Sequence, residues 1–537
     1  MSASGAAREP LRVASADPTD EQDWKRMDDQ SVPTLPQLFA TGRARHVAPS
    51  VIDVVGGRTY SSWGLWREVA RAVDALSDIG VRGGDRVLAQ CEKSVGVLVT
   101  YLACVHHGSV FLPLNPAYTD AEAQWIVDDA TPALVIRDPS RAALAGTHGS
   151  LTLDASGAGT WADAVAASGS GPGKESVFGV TTRTGSDLAA LLYTSGTTGR
   201  PKGAMLTQRN LASNAGVLAE FWGMGPADRL LHMLPIFHAH GLFVAVNTAL
   251  ASGASLIWLP RFDIDTVFAA LPQVSVVMGV PTHYTRMLAD PRLTVGSSAR
   301  VRLFISGSAP LLQSTHEAFE ARAGHRIVER YGMTETVMLT SNPLVGDRRA
   351  GTVGPALPGV EVRIVDDEGR TMGVGAVGSV EVHGPNVFAG YWNRPDLNST
   401  EFAPDGFFRT GDVGMFDADR YLWLIGRSKD LIISGGLNVY PIEVEEVLDA
   451  CPGVAESAVI GVPDPDFGEA VTAVVVARSG ESFDTESLRD AARERLAAFK
   501  VPKRFHIVDS LPRNAMGKVE KAKLRAMFGR TDGEVRD

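Results

Sequence analysis

One stretch constrains this chain more than any other: Tyr193-Thr-Ser-Gly-Thr-Thr-Gly-Arg-Pro-Lys-Gly203, entered directly from the apolar run 188–192. The run reads as a buried strand ending in a loop. The loop then packs three glycines, four aliphatic hydroxyls and one lysine into a short space. Glycines let backbone N–H groups approach an anion, hydroxyls add donors, and a lysine supplies a point charge for phosphate. This is the composition of a polyphosphate clamp. It is not the Gly-x-x-x-x-Gly-Lys-Ser/Thr pattern, because Lys202 follows Pro201 and Gly203 occupies the Ser/Thr place. Gly/Ser/Thr clusters also make ordinary surface loops; the preceding strand and the stiffening Pro201 favour a built site.

With 537 residues the chain forms more than one domain, and 45% hydrophobic and 21% charged residues are ordinary for a globular protein. A net charge of −11 argues against a nucleic-acid partner, although local basic spots can still hold nucleotide phosphates. Cys91, Cys104 and Cys451 form no Cys-x-x-Cys pair, which fits a reducing compartment and gives no disulfide or zinc framework. No apolar run approaches the ~20 residues that span a bilayer, and the polar residues 1–30 lack the apolar core of a secretory signal. The expectation is a cytoplasmic protein with no membrane partner and a disordered N-terminal tail over 1–30.

There is no internal repeat. Between 35 and 180, segments of helical spacing (66–79, and the apolar 95–107) alternate with strand-like ones (86–90), which suggests α/β layering. A glycine- and serine-rich linker at 168–174 leads to a second α/β block, 187–341, with strand candidates at 275–280 and 301–305. From 351 to 425 short apolar runs among many glycines, such as 360–365 and 378–382, read as a small β-rich module. Beyond 430 the alternation restarts: a helix at 440–448, strands at 455–461 and 471–477, and a helical stripe of Leu488, Ala492, Leu496 and Phe499. The expected fold class is α/β: a large N-terminal domain (31–428) of layered α/β subdomains plus the β-rich module, then a small, mobile α+β C-terminal domain (430–528) and a loose tail (529–537).

Further motifs follow in order. Ser306-Gly-Ser-Ala-Pro310 leaves a strand. Tyr331-Gly-Met-Thr-Glu-Thr336 gathers an aromatic, two threonines and a carboxylate, and equally suits a helix N-terminus. Thr410-Gly-Asp412 has the look of a turn, though its carboxylate suits two sugar hydroxyls. Gly426-Arg-Ser-Lys-Asp430, Ser434-Gly-Gly436 and Pro512-Arg-Asn-Ala-Met-Gly-Lys518 complete the series.

Taken together over about 188–518, these motifs resemble the adenylate-forming superfamily of acyl-CoA synthetases, luciferases and peptide-synthetase adenylation domains. The resemblance implies that Thr194, Ser195, Gly196, Thr197, Thr198, Gly199 and Lys202 hold the phosphates of ATP, and that Gly307, Ser308 and Ala309 line the adenine pocket. It implies that Tyr331 stacks on adenine beside Gly332, Thr334 touches phosphate, Glu335 holds Mg2+, and Asp412 and Arg427 reach the ribose. Lys518, Glu335 and Thr194 are the implied catalytic set. Lys429 is the implied interdomain hinge, and Ser434, Gly435 and Gly436 the implied pantetheine passage for CoA. Activating a carboxylic acid requires held phosphates, a neutralising metal, and a cation where carboxylate meets α-phosphate; Lys518 takes the last role. The implied reaction is acyl-adenylate formation followed by thiol displacement of AMP. Nineteen residues follow Lys518, so no fused carrier protein is expected and the acceptor is free CoA.

Two segments bear on the acid. Leu234-Pro-Ile-Phe-His-Ala-His-Gly241 matches the histidine-bearing pocket segment of the superfamily, which puts His238 beside the substrate carboxylate, with Ser306 and Met333 also lining the acid site. In Val280-Pro-Thr-His-Tyr-Thr-Arg-Met-Leu288, Pro281 is placed to open a helix whose apolar stripe is Val280, Tyr284, Met287 and Leu288. Thr282 and Arg286 then share another face, and Arg286 points either to solvent or into a polar pocket. With Thr340-Ser-Asn-Pro343 and Gly346-Asp-Arg348, this segment resembles malonyl-CoA synthetases, in which the matching arginine pairs with the distal carboxylate; His283 stands where an aromatic Phe is expected. The expected substrate is malonate or methylmalonate. A medium-chain or aryl monocarboxylate ligase and a non-catalytic nucleotide sensor are the alternatives.

Overall fold

The computed structural model describes residues 33–45, 50–146, 149–168, 183–194, 201–478, 480, 484–514 and 517–529. The expected tail over 1–30, the linker at 169–174, the clamp residues Ser195, Gly196, Thr197, Thr198 and Gly199, and the last residues 530–537 lie outside this set.

The apolar segment 95–107 forms the helix Val95–His107, opened by Ser94, whose hydroxyl accepts from Val97 N, and closed by Gly108 in the left-handed conformation (φ 84°). A helix apolar on all sides must be covered on all sides. Tyr101 shows how: its ring lies 5.4 Å from Phe111 of one sheet and 6.0 Å from Phe243 of the next subdomain, and its hydroxyl donates to Asn247 Oδ1 at 2.9 Å. The first sheet has six strands in the order Ser150–Thr152, Leu134–Arg137, Arg86–Gln90, Val110–Pro113, Leu188–Thr194, Lys202–Thr207. Its last two strands are antiparallel and set Thr194 opposite Lys202.

The second sheet has eight strands, and five adjacent ones carry the site: Ser255–Trp258 and Arg229–His232 on one side of Val276–Gly279, then Leu303–Ser306 and Val328–Tyr331. From Arg229–His232 to Val328–Tyr331 these strands run parallel, with Gly279 opposite Ser306 and Ser306 opposite Glu329. The segments 233–241, 280–288, 307–310 and 332–336 therefore all leave the carboxyl edge of one sheet, where open α/β sheets bind ligands.

The β-rich module is a four-stranded antiparallel sheet, Glu361–Val365, Gly378–His383, Phe408–Phe416 and Leu422–Arg427. Thr410-Gly-Asp412 lies within its third strand, with Asp412 opposite Arg427, so the alternative reading of a turn does not hold. The smaller C-terminal domain pairs Val454–Asp464 with Gly468–Ala477 and adds Arg504–Val508 in parallel. Its helix Thr485–Arg495 stops before Leu496, which is extended; Leu496 and Phe499 still pack on the domain's core, from outside the helix. No helix among the described residues is long and apolar enough to cross a membrane.

Candidate active site

The chain leaving strand Arg229–His232 enters a π-helix, His240–Val246, a wide turn found mostly at functional positions. Gly241 is obligatory there: a Cβ would lie 2.0 Å from the Pro235 carbonyl oxygen. His238 Nδ1 accepts from the His240 backbone N–H at 3.3 Å, so the neutral ring carries its proton on Nε2. Burial, then the Arg330 charge, lower its pKa to about 4, which keeps it neutral at pH 7. His240 Nδ1 is 3.1 Å from Ser308 Oγ, and its buried Nε2 has no partner. Ser308 sits at φ 73°, a conformation uncommon outside glycine.

Arg330 lies on the strand before Tyr331. It is 4% exposed, and neither Nε nor Nη2 has a hydrogen-bond partner. Its guanidinium occupies the space that a side chain at Gly307 would need, since a Cβ there would stand 2.4 Å from Arg330 Cζ. Burial lowers its pKa to about 9, so it remains charged at neutral pH. Ser306 Oγ and His283 Nδ1 are buried and unpartnered as well. Among the described residues, this group thus shares unpartnered polar atoms and a buried guanidinium with two unpartnered nitrogens. Pro281–Ala289 is helical with Pro at its start, burying Tyr284 and Met287, as its spacing implies. Arg286 is exposed, its guanidinium 5.8 Å above the Phe262 ring, on which His283 stacks at 4.3 Å.

The nucleotide-side residues differ. Tyr331 donates its hydroxyl to Asp412 Oδ2 at 2.5 Å, and Arg427 Nε is 2.9 Å from Asp412 Oδ1. Tyr391 donates to Glu335 Oε1 at 2.9 Å, and Lys202 lies 5.0 Å above the Tyr391 ring and 3.5 Å from Glu401. Burial raises the Glu335 pKa. The segment 332–336 is a turn rather than a helix start. It folds back so tightly that a Cβ on Gly332 would stand 1.8 Å from the Val337 carbonyl oxygen, and Val337 itself is held at φ 54°. A β-branched residue there is strained, and such strain collects at functional sites. Thr334 and Met333 are half-buried on this turn, and Ala309 half-buried beside Ser308. Magnesium suits the chemistry of Glu335, a carboxylate beside the clamp, since Mg2+ takes one or two carboxylates plus substrate phosphates.

The C-terminal loop reaches this edge. Asn514 N–H donates to the Lys518 carbonyl at 3.0 Å, and Lys518 N–H donates to Asn514 Oδ1 at 3.1 Å. Gly517 turns at φ 74° and lies against the acid-segment helix: a Cβ there would be 3.0 Å from Thr282 Oγ1. The Lys518 side chain is within electrostatic reach of Arg427, Asp412, Lys429 and Asp430; burial first, then Arg427, lower its pKa to about 8. Lys429 sits in the short turn Ser428–Asp430. Ser434 and the positive-φ Gly435 and Gly436 form a hairpin end elsewhere on the C-terminal domain, tied to Phe467 O through Gly435 N–H at 2.8 Å, and a Cβ on Gly436 would meet open space.

Two family models match the chain: AMP-binding enzyme over residues 38–392, and AMP-binding enzyme C-terminal domain over residues 443–518. The chain belongs to this family. It is an adenylate-forming, AMP-producing CoA ligase. Among solved structures, ATP-bound MatB from Rhodopseudomonas palustris is 48% identical, with 93% of this chain and 99% of that chain covered and a TM-score of 0.88; the apo form of the same protein gives 0.79. The ligase is thus arranged more like the ATP-bound form. Among curated relatives, a malonate–CoA ligase of Arabidopsis thaliana is 36% identical over 83% of this chain and 78% of its own length. An indoleacetate–CoA ligase of Aromatoleum aromaticum is also 36% identical, over 86% of this chain and 92% of its own length. Whole-chain similarity therefore assigns the ligase to its reaction and leaves its acid to the pocket.

The residue that motif reading missed in the ligase is Arg330. Its signal was nonetheless present: Val-Glu-Arg-Tyr places two adjacent charges at the end of a buried strand of a parallel sheet, where continuous apolar runs are usual and an unpaired charge is expensive.

Proposed function

We propose that this CoA ligase activates malonate or methylmalonate, forming the acyl-adenylate and diphosphate from ATP and then the CoA thioester and AMP. The carrying observation is the buried guanidinium of Arg330, which has no partner for Nε or Nη2. An uncompensated buried charge is strongly destabilising, and an anionic ligand relieves it. Arg286, exposed on the helix Pro281–Ala289 that leaves the same sheet edge, supplies a second cation. Two cations at one sheet edge suit an acid with two carboxylates, and a planar guanidinium grips a carboxylate bidentately.

In the first half-reaction His238 donates its Nε2–H to the reacting carboxylate, holding it for attack on the α-phosphorus. Thr194, Lys202 and the clamp hold the phosphates, Glu335 would hold Mg2+, and Asp412 with Arg427 takes the ribose. Mg2+, when bound, neutralises phosphate charge. The Lys518 ammonium meets the negative charge that grows between carboxylate and phosphate. The C-terminal domain (430–528) then turns about Lys429, withdrawing Lys518 and bringing Gly435 and Gly436 to the adenylate, a hinge step of a common kind. CoA attacks the acyl carbon through its thiolate and AMP leaves.

CoA-dependent AMP formation from malonate, methylmalonate, octanoate, 4-coumarate and indoleacetate tests the reading. A dicarboxylate should lead by about 10²-fold in kcat/KM or more, the scale of one buried charge pair. Preference for any of the monocarboxylates overturns it. Diphosphate release by the wild type, slowed about 10²–10³-fold in Lys518→Ala, excludes the sensor.

A further inference from the structure

A lysine far from every motif above reaches across the molecule to the acid segment. Lys93 lies in the loop between strand Arg86–Gln90 of the six-stranded sheet and the helix Val95–His107. It is 8% exposed. Its Nζ is 2.8 Å from His232 Nδ1, 2.9 Å from the His232 carbonyl oxygen and 2.5 Å from the Leu259 carbonyl oxygen, and it stands 4.3 Å above the Trp258 ring. His232, the last residue of its strand, stacks on Trp258 at 4.6 Å, and its Nε2 is 2.8 Å from the Gly241 carbonyl oxygen.

The protons follow by elimination. A carbonyl oxygen only accepts, so His232 Nε2 carries the hydrogen. A neutral imidazole then has a lone pair on Nδ1, so Lys93 must donate to it. The two carbonyl oxygens take the other two ammonium protons. Three donors meet three acceptors, and both imidazole nitrogens are used. A neutral amine would leave one acceptor short, and a doubly protonated His232 would turn Nδ1–H against the ammonium. Burial and the Lys93 charge hold the His232 pKa well below its ordinary value. Burial also pulls Lys93 well below its own, with Asp53 opposing; the three acceptors and the Trp258 face favour the charged form.

Gly241 matters because it is the second residue of the π-helix His240–Val246, directly after His240, with its backbone wedged against Pro235. We propose that Lys93 and His232 are positioning residues for the ligase reaction: together they pin the Gly241 carbonyl, which aims the His238–His240 segment at the acid, and they tie that segment to the six-stranded sheet. The inference rests on the acid role of His238 but not on which acid is used.

The test is steady-state diphosphate release by the full chain, with the acid that leads the panel above. His232→Phe keeps the ring stacked on Trp258 and removes both nitrogens. His232→Gln restores an N–H for Gly241 and an oxygen for Lys93. The expected result for His232→Phe and Lys93→Met is a KM for the acid raised about tenfold, the scale of one lost buried hydrogen bond, with the KM for ATP within about twofold. His232→Gln should recover most of that loss. Equal rises in both KM values, no rise, or a Gln variant no better than Phe overturns the proposal. If His232→Phe does not fold, Lys93→Gln, which keeps amide donors, against Lys93→Met gives the same contrast, and equal KM values for the acid overturn it. A monocarboxylate leading the panel sinks the substrate reading and leaves this test intact.

Discussion

Arg330 and Tyr331 are neighbours in the chain and belong to opposite regimes. The Tyr331 hydroxyl is bonded to Asp412, which Arg427 also holds, and nearby Glu335 is bonded to Tyr391. Across the strand end, Arg330, His240, His283 and Ser306 all present atoms with no partner. On the proposed roles, the nucleotide side is preorganised by its own side chains, and little is reordered when ATP arrives. The acid side is left incomplete, so its ligand is chosen by what it must supply. Sites built to bond a polar group reject ligands lacking it more strongly than apolar pockets reject an extra methylene. On the proposed roles, the first side is general to the reaction and the second carries the choice of acid.

The largest effect is expected where the two sides meet. Lys518→Ala should slow acyl-adenylate formation by about 10²–10³-fold, the scale of one removed charge-stabilising donor, while CoA transfer from supplied acyl-adenylate is kept; equal loss in both half-reactions would remove Lys518 from the junction. The lowered Lys518 pKa of about 8 also sets a sign. The ammonium is the acid form, so kcat/KM for adenylation should fall as pH rises through about 8, a limb reporting the free enzyme and missing from Lys518→Ala.

Next in size is the acid floor. Arg330→Met should cost about 2–5 kcal/mol in kcat/KM with malonate, as expected for truncating a desolvated charge pair. With octanoate it should cost nothing, and the unliganded variant should melt no lower than wild type because an unpaired buried charge is gone. Arg286→Ala, at the exposed rim, should cost about 1.5–3 kcal/mol with malonate, the range for hydrogen bonds to charged groups. No loss would remove Arg286 from the acid's surroundings. The smallest effect belongs to the paired side: Tyr331→Phe should cost about 0.5–1.5 kcal/mol, seen in the KM for ATP and not in that for the acid. A change in both would break the division between the two sides.

Much of the scaffold is legible in local pattern. The segments 86–90 and 95–107 read to the residue because a short apolar run is flanked by polar Arg86 and Gln90, and a mostly apolar one is bounded by Ser94 and Gly108. The helix expected at 66–79 begins earlier, at Ser62, because Ser61 caps it by accepting from Gly64 N, a signal that apolar spacing ignores. The stripe through Leu496 and Phe499 outlived its helix because periodicity registers burial and not hydrogen bonding. The glycine before Asp412 also allowed a turn, whereas long-range pairing with Arg427 makes it a strand. In the site, motif residues were visible because their spacing is local. Arg330, Lys93 and His232 were not, since each acquires its meaning from a partner brought near only by folding: Gly307, Leu259 and Gly241.

The touch between Gly517 and Thr282 gives the helix Pro281–Ala289 a second duty. On the proposed acid site it borders the acid on one face, and it acts as a doorstop for the lysine loop on another. An acid too bulky for its place would push that helix outward and hold Lys518 away from the reacting oxygens. Since displacement of a reacting group by about 1 Å can slow chemistry by roughly 10²-fold, ill-fitting acids would be turned away chiefly through slow turnover after binding.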